Sequence, residues 1–266
     1  MAAAKRKKTT HGKHRTTSVK GGRKGRRKKA TVRSYTADPA KPANAVYKTL
    51  DKDPVYGSEF VYSWSVGGCF NKECTQRHAT ITTPGWTEKY IVTFKIPEVP
   101  KLGTLRLHKR IAPQFEAFFK AGAAKGHAGK IVNNAGTFVP RTITGNQSKL
   151  SNHALGTAID VSSEQNGYNQ PQAARGTHGS LCEHADFCVD FGLYWGGWYE
   201  RKKDAMHFEA VKVLSAAELQ AACTKHGVNY ASLSQSPTGS PGGPAAPAAP
   251  ATPAAPPVPP RRPPGV

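Results

Sequence analysis

The chain has 266 residues and a net charge of +21. Fourteen Lys or Arg fall among the first 33 residues and no acid precedes Asp38, so the remainder holds 24 bases against 17 acids, or +7. No apolar run approaches membrane-spanning length. Five cysteines, an odd number, exclude a closed disulfide framework.

In chain order, residues 1–33 read as a disordered basic arm, because they hold too little apolar surface to offset chain entropy. A solvated cationic arm binds polyanions, here anionic wall or outer-membrane polymers, with nucleic acid the weaker candidate. Residues 5–8 would suit the charged start of a secretory signal, but residues 9–29 stay polar and basic. The expectation is synthesis in the cytoplasm without a signal peptide. Residues 34–57, with Pro39, Pro42 and Pro54, read as a linker. Residues 58–87 carry short aromatic and β-branched runs and form one or two strands, as an extension or small module of unassigned role. Within them Cys69-x4-Cys74-x3-His78 lacks a fourth metal ligand, which leaves buried thiols or a local disulfide. Cys182 and Cys188 are close enough in sequence to pair or to stay as thiols.

The main domain is expected over residues 88–232. Residues 90–96 read as a strand ended by Pro97. Leu107, Ile111, Phe115, Phe118 and Phe119 recur at three and four residues, so 105–121 reads as a helix stopped at Gly122. Residues 157–161 and 206–211 read as strands, and 185–191 as a short helix. Ser215 and Glu218 form the capping box of a last helix. Strands and helices do not alternate strictly, which points to an α+β fold with a mainly antiparallel sheet flanked by helices. Residues 233–266, rich in Pro and Ala, read as a disordered tail.

The chemistry concentrates in Ser151-Asn152-His153-Ala154-Leu155-Gly156-Thr157-Ala158-Ile159-Asp160 and Asp204-Ala205-Met206-His207-Phe208-Glu209. Two imidazoles and a carboxylate, His153, Asp160 and His207, close three corners of a zinc tetrahedron and leave the fourth open. Gly156 permits the sharp backbone path that returns two side chains to one point. On an extended strand, His207 and Glu209 share one face, while Met206 and Phe208 face the core. A zinc ion lowers the pKa of water to about 7. Asp204 is placed to take the proton as general base, and Arg141 to hold the developing oxyanion. Ser151 and Glu209 support the ligands. Tyr194, Trp195 and Trp198 are candidate lining for a substrate groove, with core packing the rival reading. His178, in the polar insert 164–183 at the cleft rim, and His184, directly after it, read as surface residues.

These two elements resemble the family of VanX- and VanY-type D-alanyl-D-alanine peptidases and phage L-alanyl-D-glutamate peptidases. The family pattern Ser-x-His-x-x-Gly-x-Ala-x-Asp is met in full at 151–160. The later element is Glu-x-x-His in the dipeptidase branch and Asp-x-x-His-Phe in the endolysin branch, and here it is Asp204-Ala205-Met206-His207-Phe208. The approach Phe191-Gly192-Leu193-Tyr194-Trp195-Gly196-Gly197-Trp198 is also similar to the endolysin branch. The resemblance spans roughly residues 88–212 and implies zinc on His153, Asp160 and His207 in a central cleft. It also implies Asp204 as base, and an arginine matching Arg141 on the substrate carbonyl. The implied activity is an L-alanyl-D-glutamate endopeptidase acting on peptidoglycan, reached through a separate pore or carried in a virion. A D-alanyl-D-alanine carboxypeptidase on the same site is the first rival. A non-catalytic wall- or polyanion-binding protein is the second, although ligands and base are all present.

Overall fold

Strand pairing sets the architecture. The computed structural model describes residues 39–47, 50 and 60–234, all within one compact unit. The expectations for the basic arm, for most of the linker and for the Pro/Ala tail lie outside the described residues.

The first pair is a hairpin of β1 (Trp64–Cys69) and β2 (Arg77–Ile81). The Cys69–Cys74 disulfide closes its turn with a Cα–Cα distance of 4.8 Å, which decides between the two readings of those cysteines. His78 packs edge-on against Phe70 at 5.0 Å between ring centroids. The hairpin fastens to the main domain: Ala79 N–H donates to Pro140 O, Arg77 N–H donates to Thr142 Oγ1, and His78 bridges Arg141 in antiparallel register. The β1–β2 hairpin therefore buttresses the strand segment that bears Arg141.

After α1 (Trp86–Tyr90), β3 (Ile91–Phe94) pairs antiparallel with β4 (Leu105–His108). The expected helix over 105–121 therefore begins as a strand. Leu105 and Leu107 point inward while Arg106 stays exposed, a period of two that overrides the longer apolar spacing. The helix proper is α2 (Ala112–Ala124), with Pro113 in its first turn. Phe115, Phe118 and Phe119 are fully buried on it. The helix runs past Gly122, which is a packing glycine: a Cβ there would lie 2.4 Å from His184 Nε2. His184 is itself fully buried on α3 (Cys182–Cys188) rather than at the surface, and burial drives its pKa down to about 3. A 3₁₀ turn, Val189–Phe191, completes the segment expected as a helix over 185–191.

The central sheet has the order β5 (Asn134–Gly136), β8 (Ala158–Val161), β10 (His207–Ala210), β9 (Leu193–Trp195), antiparallel throughout. A short ladder of β6 (Thr142–Ile143) and β7 (Asn146–Leu150) precedes β8 in the chain. Helix α4 (Ala216–Lys225) opens with the expected capping box, Ser215 against Glu218. Helices and antiparallel sheet thus combine as the sequence suggested. Among the described residues, no helix is long and apolar enough to cross a membrane.

One face of the sheet meets α2. Phe118 packs on Phe187, Phe191 and Phe208 at ring-centroid distances of 5.3, 6.1 and 5.1 Å. Phe208 lies between His207 and Glu209, so this apolar anchor fixes the strand whose other face bears the polar pair. Buried Gln114 closes the far edge. Its amide donates to Phe191 O and Lys212 O, and its carbonyl accepts from Leu214 N–H. A buried polar side chain with its bonds made carries no desolvation penalty of an orphan group. Part of the expected linker also joins the fold: Ala45 and Leu50 are buried, and Trp198 Nε1 donates to Pro39 O at 2.9 Å.

Candidate active site

Neighbouring strands converge three side chains. In the β8–β10 register His207 lies opposite Asp160. His153 arrives from the 3₁₀ turn Asn152–Leu155, whose N-cap is Ser151. The Ser151 hydroxyl accepts from His153 N–H at 3.3 Å. The turn ends at Gly156 with φ +69°. A Cβ at Gly156 would lie 2.7 Å from Ile91 Cδ1 and 2.8 Å from His108 N. Gly156→Ala therefore combines left-handed strain with a clash against backbone, and is expected to cost about 2–4 kcal/mol. Chemical denaturation measures this; a loss under about 1 kcal/mol would show that the turn tolerates a side chain there.

His153 Nε2 lies 3.2 Å from His207 Nδ1 and 3.1 Å from Asp160 Oδ2, and His207 Nδ1 lies 2.8 Å from Asp160 Oδ1. One ligand atom from each residue falls within 4.8 Å of the others. Zn–N bonds of about 2.0–2.1 Å at a tetrahedral angle set the nitrogens about 3.3 Å apart. The donor set and its spacing fit a zinc ion. The far side of each ring is oriented as well. His153 Nδ1 is 2.8 Å from Thr137 O, which accepts its proton and frees Nε2 as a donor pair. His207 Nε2 faces Glu209 Oε2 at 3.9 Å. Glu209 is nearly fully buried and accepts from Asn152 Nδ2 and Tyr199 OH.

The same groups set one another's charge. Burial opposes charge on Asp160, yet His153 and His207 hold its pKa well below the usual carboxylate range. Burial likewise opposes charge on His207, while Asp160 and Glu209 hold its pKa well above the ordinary imidazole value. The carboxylate and the imidazoles thus favour each other's charged forms at the point where their ligand atoms converge.

Asp204 and Arg141 line the same cleft of about 280 Å³ as His153 and His207. Asp204 precedes β10, with its N–H donating to Gly196 O and its carbonyl accepting from His207 N–H. A Cβ at Gly196 would lie 2.3 Å from Asp204 O, so a glycine is needed for this loop to close. Asp204 Oδ1 is buried and has no hydrogen-bond partner among the described residues. Burial pushes the carboxyl pKa up to about 6 against the pull of His207, and Asp160 adds to the rise. Arg141 is held mostly out of solvent; burial lowers its pKa while Asp160 and Asp204 oppose that shift.

The three aromatics weighed for the groove are core instead. Tyr194, Trp195 and Trp198 are buried and do not line this cleft. Trp195 pairs across β9–β10 with Phe208, and its Nε1 donates to Ala205 O. The cleft aromatics are Tyr47, Tyr168 and Tyr199. Tyr199 follows the aromatic run directly, and Tyr168 comes from the polar insert expected at the rim. Tyr47 comes from the stretch read as linker, packed edge-on to Tyr194 and Tyr199, and no local pattern marked it. His178 is exposed as expected, and Cys182 and Cys188 are buried and not joined in a disulfide.

No curated protein and no solved structure matches the chain. A family model described as D-alanyl-D-alanine carboxypeptidase matches residues 144–210, the stretch that contains His153, Asp160, Asp204 and His207. Over those residues the chain is similar to that peptidase family.

Proposed function

We propose that the protein is a zinc-dependent peptidase that cuts peptidoglycan stem peptides. The observation that supports this best is the convergence of His153, Asp160 and His207, with both histidines lining a cleft shared with Asp204 and Arg141. The match to a D-alanyl-D-alanine carboxypeptidase family over the same residues agrees with it. Bound zinc supplies a Lewis acid and a water acidified to near neutral pH.

The chain's own groups do the rest. Asp204 takes a proton from the attacking water as the new C–O bond forms. It then returns that proton to the amine as the C–N bond breaks. Arg141 holds the carbonyl oxygen as negative charge develops on it. His153 and His207 keep their orientation through Thr137 O and Glu209. No covalent serine step is required, since Ser151 is committed to capping the turn.

The finer reading is an endopeptidase acting between L-alanine and D-glutamate, supported by the Asp-x-x-His-Phe form at 204–208. The second reading, D-alanyl-D-alanine carboxypeptidase, is favoured by the description of the matching family. Mass spectrometry of purified peptidoglycan digested by the protein separates them. New N-terminal D-glutamate is the expected product, and free D-alanine supports the second reading. Unaltered peptidoglycan with added zinc overturns both.

The basic arm belongs to the same proposal as a tether to anionic wall or outer-membrane polymers, with delivery to the wall through a separate pore or in a virion. Deleting residues 1–33 is expected to weaken binding to isolated walls at low salt and to leave turnover of a soluble stem peptide unchanged. A co-sedimentation assay showing equal wall binding would remove the tether.

A further inference from the structure

Lys149 and Lys202 stand at the mouth of the cleft. Both are exposed, and both line it together with Asp204 and His207. They come from separate segments, Lys149 from β7 and Lys202 from the loop before β10. Neither has an ion-pair partner among the described residues. Some other lysines of the domain are engaged, Lys120 with Glu98 and Glu116, Lys212 with Glu218 and Lys225 with Asp190.

The acids in and beside the cleft do not neutralise this lip. Asp160 is engaged with His153 and His207, and Glu209 is engaged with Asn152 and Tyr199. Asp204 is turned inward, with one oxygen buried and unbonded. The cleft is thus lined by two unpaired ammonium groups, while its own carboxylates and the neighbouring Asp160 are engaged or buried. An ammonium on a four-carbon stem, with three rotatable donors, suits a compact anion of variable approach.

We propose that Lys149 and Lys202 form a subsite for a free carboxylate on the peptide residue flanking the scissile bond. The assignment rests on the peptidase reading and deepens it. Two sources share this chemistry. A D-glutamate linked onward through its γ-carboxyl leaves its α-carboxyl free beside an internal bond, and a terminal D-alanine carries its own C-terminal carboxylate. An anionic sugar-phosphate polymer at the lip is the competing occupant.

The test uses the full chain. Stem-peptide fragments containing L-alanyl-γ-D-glutamate, and others ending in D-alanyl-D-alanine, are each prepared as the free acid and as the carboxamide. Binding is measured by calorimetry on the Asp204→Asn protein, which separates affinity from turnover. The acid of one pair is expected to bind about tenfold or more tightly than its amide, the scale of a charge-assisted contact. Adding Lys149→Met and Lys202→Met is expected to bring the acid to the amide's affinity and leave the amide unchanged. In the Asp204-containing protein the same two substitutions raise KM for the acid and keep kcat within about twofold, the signature of lost uniform binding.

The pair that shows the preference identifies the source. Equal binding of acid and amide, a preference that survives both substitutions, or no binding of either acid at millimolar concentration overturns the subsite. So does displacement of neither acid by the substitutions when a soluble sugar-phosphate polymer loses its binding. Acid-selective binding without cleavage of any peptide keeps the subsite and sinks the peptidase reading. Cleavage without carboxylate preference does the reverse.

Discussion

Asp204→Asn is expected to keep the fold and the zinc while hydrolysis falls by about 10²–10⁴, the range for losing a general base. The substitution is nearly isosteric and leaves the backbone bonds to Gly196 and His207 in place. What it removes is a proton acceptor in a setting suited to one. The carboxyl is largely buried, has an unbonded oxygen, and is pushed up to about 6, close to the range where a base both accepts and returns a proton. Asp204 is not among the three residues whose ligand atoms cluster, so metal content measured by elemental analysis is expected to stay at the wild-type level. Asp204→Glu keeps the chemistry and lengthens the arm, and is expected to recover part of the rate. A near-wild-type rate for Asp204→Asn with zinc retained would remove the base assignment. A loss of zinc in parallel would move Asp204 into the ligand set.

The cluster of His153, Asp160 and His207 was legible in the sequence because its spacing is imposed locally. Gly156 must reverse the chain within three residues of His153, and Asp160 must fall on the strand that follows. His207 and Glu209 share a face because a strand alternates, and Phe208 between them needs a core. The capping box at Ser215 was legible for the same reason, since its partners are three residues apart. Position 105 was misread because Leu107 and Ile111 fit a helical period by coincidence. The competing signal, inward Leu105 and Leu107 around outward Arg106, is only four residues long. Tyr194, Trp195 and Trp198 were ambiguous because large aromatics serve grooves and cores alike. Their burial is decided by β9 pairing with β10 and by the chain at Pro39, both distant in sequence. Tyr47 could not be found by any local rule. It reaches the cleft because Ala45 and Leu50 dock into the core on either side of it.

The same distinction explains the extension at 58–87. Its strands were visible as β-branched and aromatic runs, but its use depends on a contact more than sixty residues away. The hairpin meets the segment 140–142 through Ala79, His78 and Arg77, and so holds the backbone of Arg141 from behind. Ser151 N–H donates to Arg141 O on the other side. The guanidinium is thus mounted between the hairpin and the turn that presents His153, which couples the proposed oxyanion group to the proposed metal site.

His153→Ala is expected to lower zinc affinity by more than about 100-fold, beyond what removing a supporting group behind a ligand costs. It leaves only His207 and Asp160 from the set, and two donors do not enclose an ion that favours four. The imidazole is also buried and bonded to Thr137 O, so the metal-free variant is expected to lose about 1–3 kcal/mol of stability from the orphaned carbonyl and the void. The two effects separate in a thermal scan. With zinc in hundredfold excess over its Kd, the wild-type protein gains about 2.7 kcal/mol from linkage, and its Tm rises accordingly. The variant is expected to start lower and to gain almost nothing from the same zinc. An equal zinc-dependent rise in both proteins would place the ion elsewhere, and with it the chemistry assigned to this cleft.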